Sequence, residues 1–196
     1  MRHRDPIAAE MRRQRAVSAF LPLFFVSGAT SLVYQTVWAR QLHLVFGTST
    51  FAIATVLASF MGGLAIGGLV MARYADRIAR PLVVYGGLEC AIGVYAMIFP
   101  GILAMLTPVY LVIARDWQPG PVGFGLAQLA LVGTSLLLPT ALMGATLPLL
   151  ARFTTERLGA AGDRVGTLYS VNTAGAVFGT WLAGFVLLPW LGLWTT

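Results

Sequence analysis

Charge is what this chain has least of: 10% of its 196 residues are charged, against roughly 25% in an ordinary soluble domain. Hydrophobic residues make up 58% and the mean hydropathy is +0.80. That balance excludes a soluble globular domain and describes a protein of the bilayer. Lysine is absent, so all 13 basic residues are Arg and the net charge is +6. An excess of Arg in cytoplasmic loops explains such a charge without a nucleic-acid partner. The one cysteine, Cys90, excludes an intramolecular disulfide, and nothing around it suggests a metal or redox pair. It is expected to be a buried, inert thiol. Only two histidines are present, His3 and His43, both outside the expected spans. With no acid–base pair at a workable spacing, no catalytic constellation, metal site or cofactor site is expected in this chain.

What is present is a series of long apolar runs. Residues 1–15 form a basic tail with Arg2, Arg4, Arg12, Arg13 and Arg15, and residues 16–196 form the transmembrane domain. The first run, 16–38, is about 23 residues, and at ~1.5 Å per residue it covers a ~30 Å hydrocarbon core. A cleaved signal peptide is the rival reading, with Ser27, Gly28 and Ala29 as the small residues, but apolar sequence continues past them. The second span, 51–72, carries small residues at four-residue spacing: Ala54, Ala58 and Gly62, and Ser59, Gly63 and Gly67. Such stripes let helix backbones approach closely, which is how helices associate in lipid. The text GGLAIGG is therefore packing; a nucleotide loop would need a preceding strand and a G-x-G-x-x-G order.

A short basic loop, Arg73 to Pro81, leads to the third span, 82–99. Glu89 lies about 12 Å into it. An ionised carboxylate at that depth is costly unless paired or facing water, which makes Glu89 the leading functional residue; the alternative is a Glu that hydrogen-bonds two helices together. The segment 100–114 is short, contains Pro100 and Pro108, and reads as a span or an interfacial piece. Charge favours the second: if it does not cross, 11 of the 13 Arg lie on the cytoplasmic side, and if it does the split is nine to four.

The fourth span, 122–150, contains Pro139 and Pro148, so a kink is expected, with Thr134, Ser135, Thr140 and Thr146 satisfying the freed backbone groups. The fifth, 165–188, carries the small stripe Gly175, Gly179 and Ala183, with Tyr169 and Asn172 in its inner third. Asn172 is open to two readings, a solute ligand or an interhelical bond worth about 0.6–2 kcal/mol. Trp38, Trp117, Trp190 and Trp194 fall at one boundary as expected anchors, and Trp181 lies deeper. The expected architecture is an all-α, polytopic transmembrane bundle of five spans. Transporter folds built of three-helix repeats lead one to expect a sixth, so the chain reads as a fragment or truncated product.

Four stretches carry a family resemblance: SGATSLVYQTVWARQLHLVFGTST, ASFMGGLAIGGLVMARYADRIARPLVVYGGLE, LLLPTALMGATLPLLAR and VGTLYSVNTAGAVFGTWLAGFVLLPWLG. Together they resemble the membrane half of the fused spermidine synthase family. The resemblance implies a helical domain like half of a major facilitator transporter, placed before a soluble domain similar to polyamine aminopropyltransferases. The loop Asp76-Arg77-x-x-Arg80 is also similar to a major facilitator loop, with Ala72 where that motif prefers Gly. Where the family usually has Glu after the Tyr of the first motif, this chain has Gln35 after Tyr34, so a role needing a negative charge there does not carry over.

The resemblance implies polyamine chemistry, the transfer of an aminopropyl group from decarboxylated S-adenosylmethionine to a diamine. This chain lacks the nucleotide-binding unit and the acidic cluster for it. The reading that follows is the membrane domain of a spermidine synthase-like protein in an inner membrane, N-terminus cytoplasmic. Its partners would be the bilayer and a soluble aminopropyltransferase domain or adjacent protein. Two alternatives are a transport or solute-binding module for a small cationic solute, using Glu89, Asn172, Tyr169, Tyr34 and Gln35, and a structural anchor. By helical rise, Tyr34 and Gln35 fall near the outer boundary and Glu89 nearer the inner half, so they are not expected to share one site.

Overall fold

Glycine and proline set the limits of the helices. The computed structural model describes the backbone of residues 6–117, 119–158 and 162–196, and the side chains of 21–117, 119–152 and 166–196. Helix α1 (Pro6–Phe46) ends where Gly47 adopts φ +86° and its N–H bonds the His43 carbonyl at 2.9 Å, a left-handed cap that favours glycine. Ser49 then caps α2 (Thr50–Tyr74) by accepting the Ala52 N–H at 3.2 Å. After a 3-10 turn, Pro81 opens α3 (Pro81–Val112), which runs into a π-helical turn, Ile113–Trp117. Pro121 opens α4 (Pro121–Leu158). Helix α5 (Gly162–Leu182) continues through a second π-helical turn to the short α6 (Leu188–Leu191). The described residues contain no strand.

Four stretches are long and apolar enough to cross a membrane: Thr50–Arg77, Pro81–Trp117, Pro121–Arg152 and Gly166–Leu191. Helix α1, with 41 residues, is about 60 Å long. It takes in most of the segment expected as a tail; the side chains of the tail arginines, and of Arg157 and Arg164, lie outside the described residues.

The small-residue stripes do the packing, in two pairs. Between α2 and α4, a methyl on Gly67 would overlap the Ala141 backbone, one on Gly63 the Thr140 side chain, and one on Gly144 the Leu64 backbone. Between α1 and α5, Gly28 meets the backbone of Asn172, Gly175 that of Phe25 and Gly179 that of Ala29. Close backbone approach of this kind is the main source of helix association in lipid. Of the two stripes read on α2, only Ser59, Gly63 and Gly67 is buried; Ala54 and Ala58 are exposed. The contacts between the α1/α5 pair and the α2/α4 pair are few, and α3 packs mainly on α4.

Three local expectations are corrected. The segment 100–114 is no separate interfacial piece: α3 continues through both prolines, because Ile92, Phe99 and Leu103 form one buried face that extends past Pro100. Trp38 is no boundary anchor. It is 2% exposed and stacks on Tyr34 and Phe99, ring centroids 5.4 and 4.9 Å away, because α1 does not end there. His43, beyond the expected span, falls in the last turn of α1 with its Nε2 buried without a partner among the described residues. Cys90 is exposed, since one residue of helical advance rotates it about 100° from Glu89.

Proline 139 shows how the freed backbone is satisfied. It removes the N–H that would bond the Ser135 carbonyl, and that carbonyl instead accepts the Tyr95 hydroxyl of α3 at 2.7 Å. The hydroxyls expected to do this bond other carbonyls of α4: Thr134 bonds Leu131, Ser135 bonds Val132, Thr140 bonds Leu136 and Thr146 bonds Met143. Tyr95→Phe should therefore cost about 1–3 kcal/mol in detergent unfolding. In a Pro139→Ala background, where an N–H returns, the same change should cost at least about 1 kcal/mol less; equal costs in both backgrounds would show that Tyr95 does not serve this carbonyl.

Candidate functional site

A polar stripe runs up α1 at four-residue spacing: Ser27, Ser31 and Gln35. All three line one cavity of about 420 Å³ between the two glycine-packed pairs. Asn172 of α5 faces it, and the opposite wall is mostly apolar, built from Phe60, Met61 and Leu64 of α2 and Met143 and Leu147 of α4, with Thr146 of α4 its polar exception. The volume is within the range of small-molecule sites, about 300–1,000 Å³. Glu89 of α3 does not line the cavity. It lies behind it, where the Ser27 hydroxyl donates to its Oε1 at 2.5 Å. Tyr85, one turn before Glu89, places its hydroxyl beside both Ser27 and Glu89. Ser27 of α1 thus gives the Glu89 side chain of α3 a hydrogen-bond partner from a second helix, the kind of pairing an acid at this depth requires.

No hydrogen bond joins Ser31, Gln35 or Asn172 to another described side chain or backbone group. These polar groups open into the cavity rather than pairing across helices, although Asn172 also meets α1 closely at Gly28. A polar group at bilayer depth needs a partner, and these three have hydrogen-bonding capacity left over on the side of the cavity.

The residues singled out from sequence separate into groups. Gln35 and Asn172 share the cavity. Gln35 and Glu89 make no direct contact, but Ser27, two turns below Gln35, joins the cavity to Glu89. Tyr34 turns instead into a second cavity of about 300 Å³ with Trp38, Gln41 and Trp194. Tyr169 is exposed on α5 and lines neither. Asp76 reaches Arg152 of α4 at 3.7 Å, tying the basic loop to that helix, while Arg77 lies over the Tyr74 ring at 5.8 Å and Arg80 is exposed. Among the described residues, no group of three or more His, Cys, Asp and Glu side chains could hold a metal ion.

Sequence reading passed over Ser27 and Ser31 as site residues, although their recurrence with Gln35 every four positions puts them on one face of a helix. It also passed over Gln128, a buried residue of α4 whose Nε2 donates to the Phe46 carbonyl at 2.7 Å and closes the end of α1. A lone Gln in an apolar run is a signal of interhelical bonding.

Comparison with curated proteins gives a similarity to polyamine aminopropyltransferase 2 of Streptomyces coelicolor, 31% identical over 186 residues. The likeness runs along nearly the whole chain. It covers 90% of this protein and 31% of the relative, so the chain spans about a third of that enzyme's length. No family model matches the chain, and no solved structure matches it.

Proposed function

We propose that this chain is the membrane domain of an aminopropyltransferase-like protein, with a bundle related to half of a major facilitator fold. It lies in the cytoplasmic membrane with its N-terminus and the Arg73–Arg80 loop inside. The observation that carries the reading is the alignment of 186 residues to a polyamine aminopropyltransferase, on a chain whose helices are long and apolar enough to cross a membrane. The catalytic step falls to a soluble domain or a neighbouring protein, since the sequence leads one to expect no acid–base or nucleotide-binding unit in this chain. The helices hold that activity at the membrane surface, and the exposed Arg77 and Arg80, with the Asp76–Arg152 pair, form the face nearest it.

The test uses cells carrying the gene in its native context. Membranes should contain aminopropyl transfer to a diamine, and in-frame deletion of residues 16–196 should move that activity to the soluble fraction or abolish it. Activity unchanged in amount and location overturns the proposal.

A further inference from the structure

We infer that the cavity between the two helix pairs binds an amphiphilic monoamine, a single ammonium group on an apolar body, and discriminates against diamines. The inference stands on the cavity alone and does not need the aminopropyltransferase reading.

Ser27 supplies the first argument. Its hydroxyl proton is committed to Glu89, so its oxygen has only lone pairs to offer a ligand in the cavity that Ser27 lines. A ligand group seated at Ser27 must therefore be a hydrogen-bond donor. Charge supplies the second. The described residues lining the cavity carry no ionised side chain, and Glu89 sits one hydrogen bond behind the wall. Glu89 offers the site at most one negative charge. An ammonium at Ser27 forms a donor chain, ammonium to hydroxyl to carboxylate, and the Gln35 and Asn172 carbonyl oxygens offer neutral acceptors for its remaining hydrogens.

The opposite wall supplies the third argument. Phe60, Leu64, Met143 and Leu147 make this wall mostly apolar, which suits an alkyl or aryl body; Thr146, whose hydroxyl donates to the Met143 carbonyl, offers a second ammonium one neutral acceptor and no counter-charge. A diamine would leave one charge unpaired in a low-dielectric site. A neutral alcohol can also donate to Ser27 but brings no charge for Glu89 to balance.

The experiment is calorimetric titration of the full chain in lipid nanodiscs, with empty nanodiscs subtracted, using hexylamine, 1-hexanol and 1,6-diaminohexane at neutral pH. Hexylamine should bind saturably and at least about tenfold more tightly than the other two, a margin equal to about 1.4 kcal/mol. Glu89→Gln should bring hexylamine to the level of hexanol. Leu64→Trp, which fills the cavity from α2 without touching Ser27 or Glu89, should remove saturable binding of all three and serves if Glu89→Gln does not fold. Equal binding of hexylamine and hexanol, tighter binding of the diamine, or hexylamine binding unaltered by either variant overturns the inference.

Discussion

Gly67→Leu should give no monodisperse folded protein, whereas Gly62→Ala in the same helix should melt at or slightly above the wild-type temperature. A methyl at Gly67 would already overlap the Ala141 backbone, while one at Gly62 meets nothing within 4 Å. The obstacle at Gly67 is main chain, so no rotamer change relieves it and α2 must move away from α4. Overpacking of this kind costs about 1–3 kcal/mol for a small group, and a leucine demands far more room. Lipid offers little return, because burying apolar surface between helices gains little when acyl tails are just as apolar. Gly62→Ala meets no obstacle and removes a flexible residue from a helix, a gain of up to about 1 kcal/mol. Gly67→Ala should fall between the two, with a thermal melt of the purified protein in detergent reading all three. Similar melting temperatures for Gly62→Ala and Gly67→Ala would show that the α2/α4 contact is not backbone to backbone.

The same comparison shows how far the sequence could be read. Spacing put Gly62 and Gly63 on two equally plausible stripes, and only the partner helix decides which is buried. The long apolar helices, the helical content and the stripe at Gly175 and Gly179 followed from composition and period alone, because these depend on each helix by itself. What did not follow depends on register between helices. Trp38 has the composition of an interfacial anchor, yet Phe99 and Tyr95 close over it. The Ser135 carbonyl was expected to find a hydroxyl in its own helix, and Tyr95 takes it from another. Glu89 stood out because an acid at that depth is rare. Its partner Ser27 did not, since one serine in an apolar helix is ordinary until a carboxylate is seen beside it.

The second large effect concerns whether the space between the α1/α5 and α2/α4 pairs is a hydrated cavity, and on this the account depends. Thiol chemistry reads it directly, because the thiolate is the reactive form and a thiol in apolar surroundings stays protonated and slow. In a Cys90→Ser background, Ser31→Cys and Gln35→Cys place a thiol on the polar wall of the cavity. Leu69→Cys places one on an exposed apolar face of α2 that a bilayer would cover, and Ser135→Cys places one in the packed interior. The most direct measurement is the rate at which a small, charged, membrane-impermeant thiol reagent modifies these four variants in proteoliposomes. Ser31→Cys and Gln35→Cys should react at least about tenfold faster than Leu69→Cys and Ser135→Cys. If Ser31→Cys and Gln35→Cys react no faster than Leu69→Cys, the space between the pairs is filled by lipid or by protein and the cavity account is contradicted.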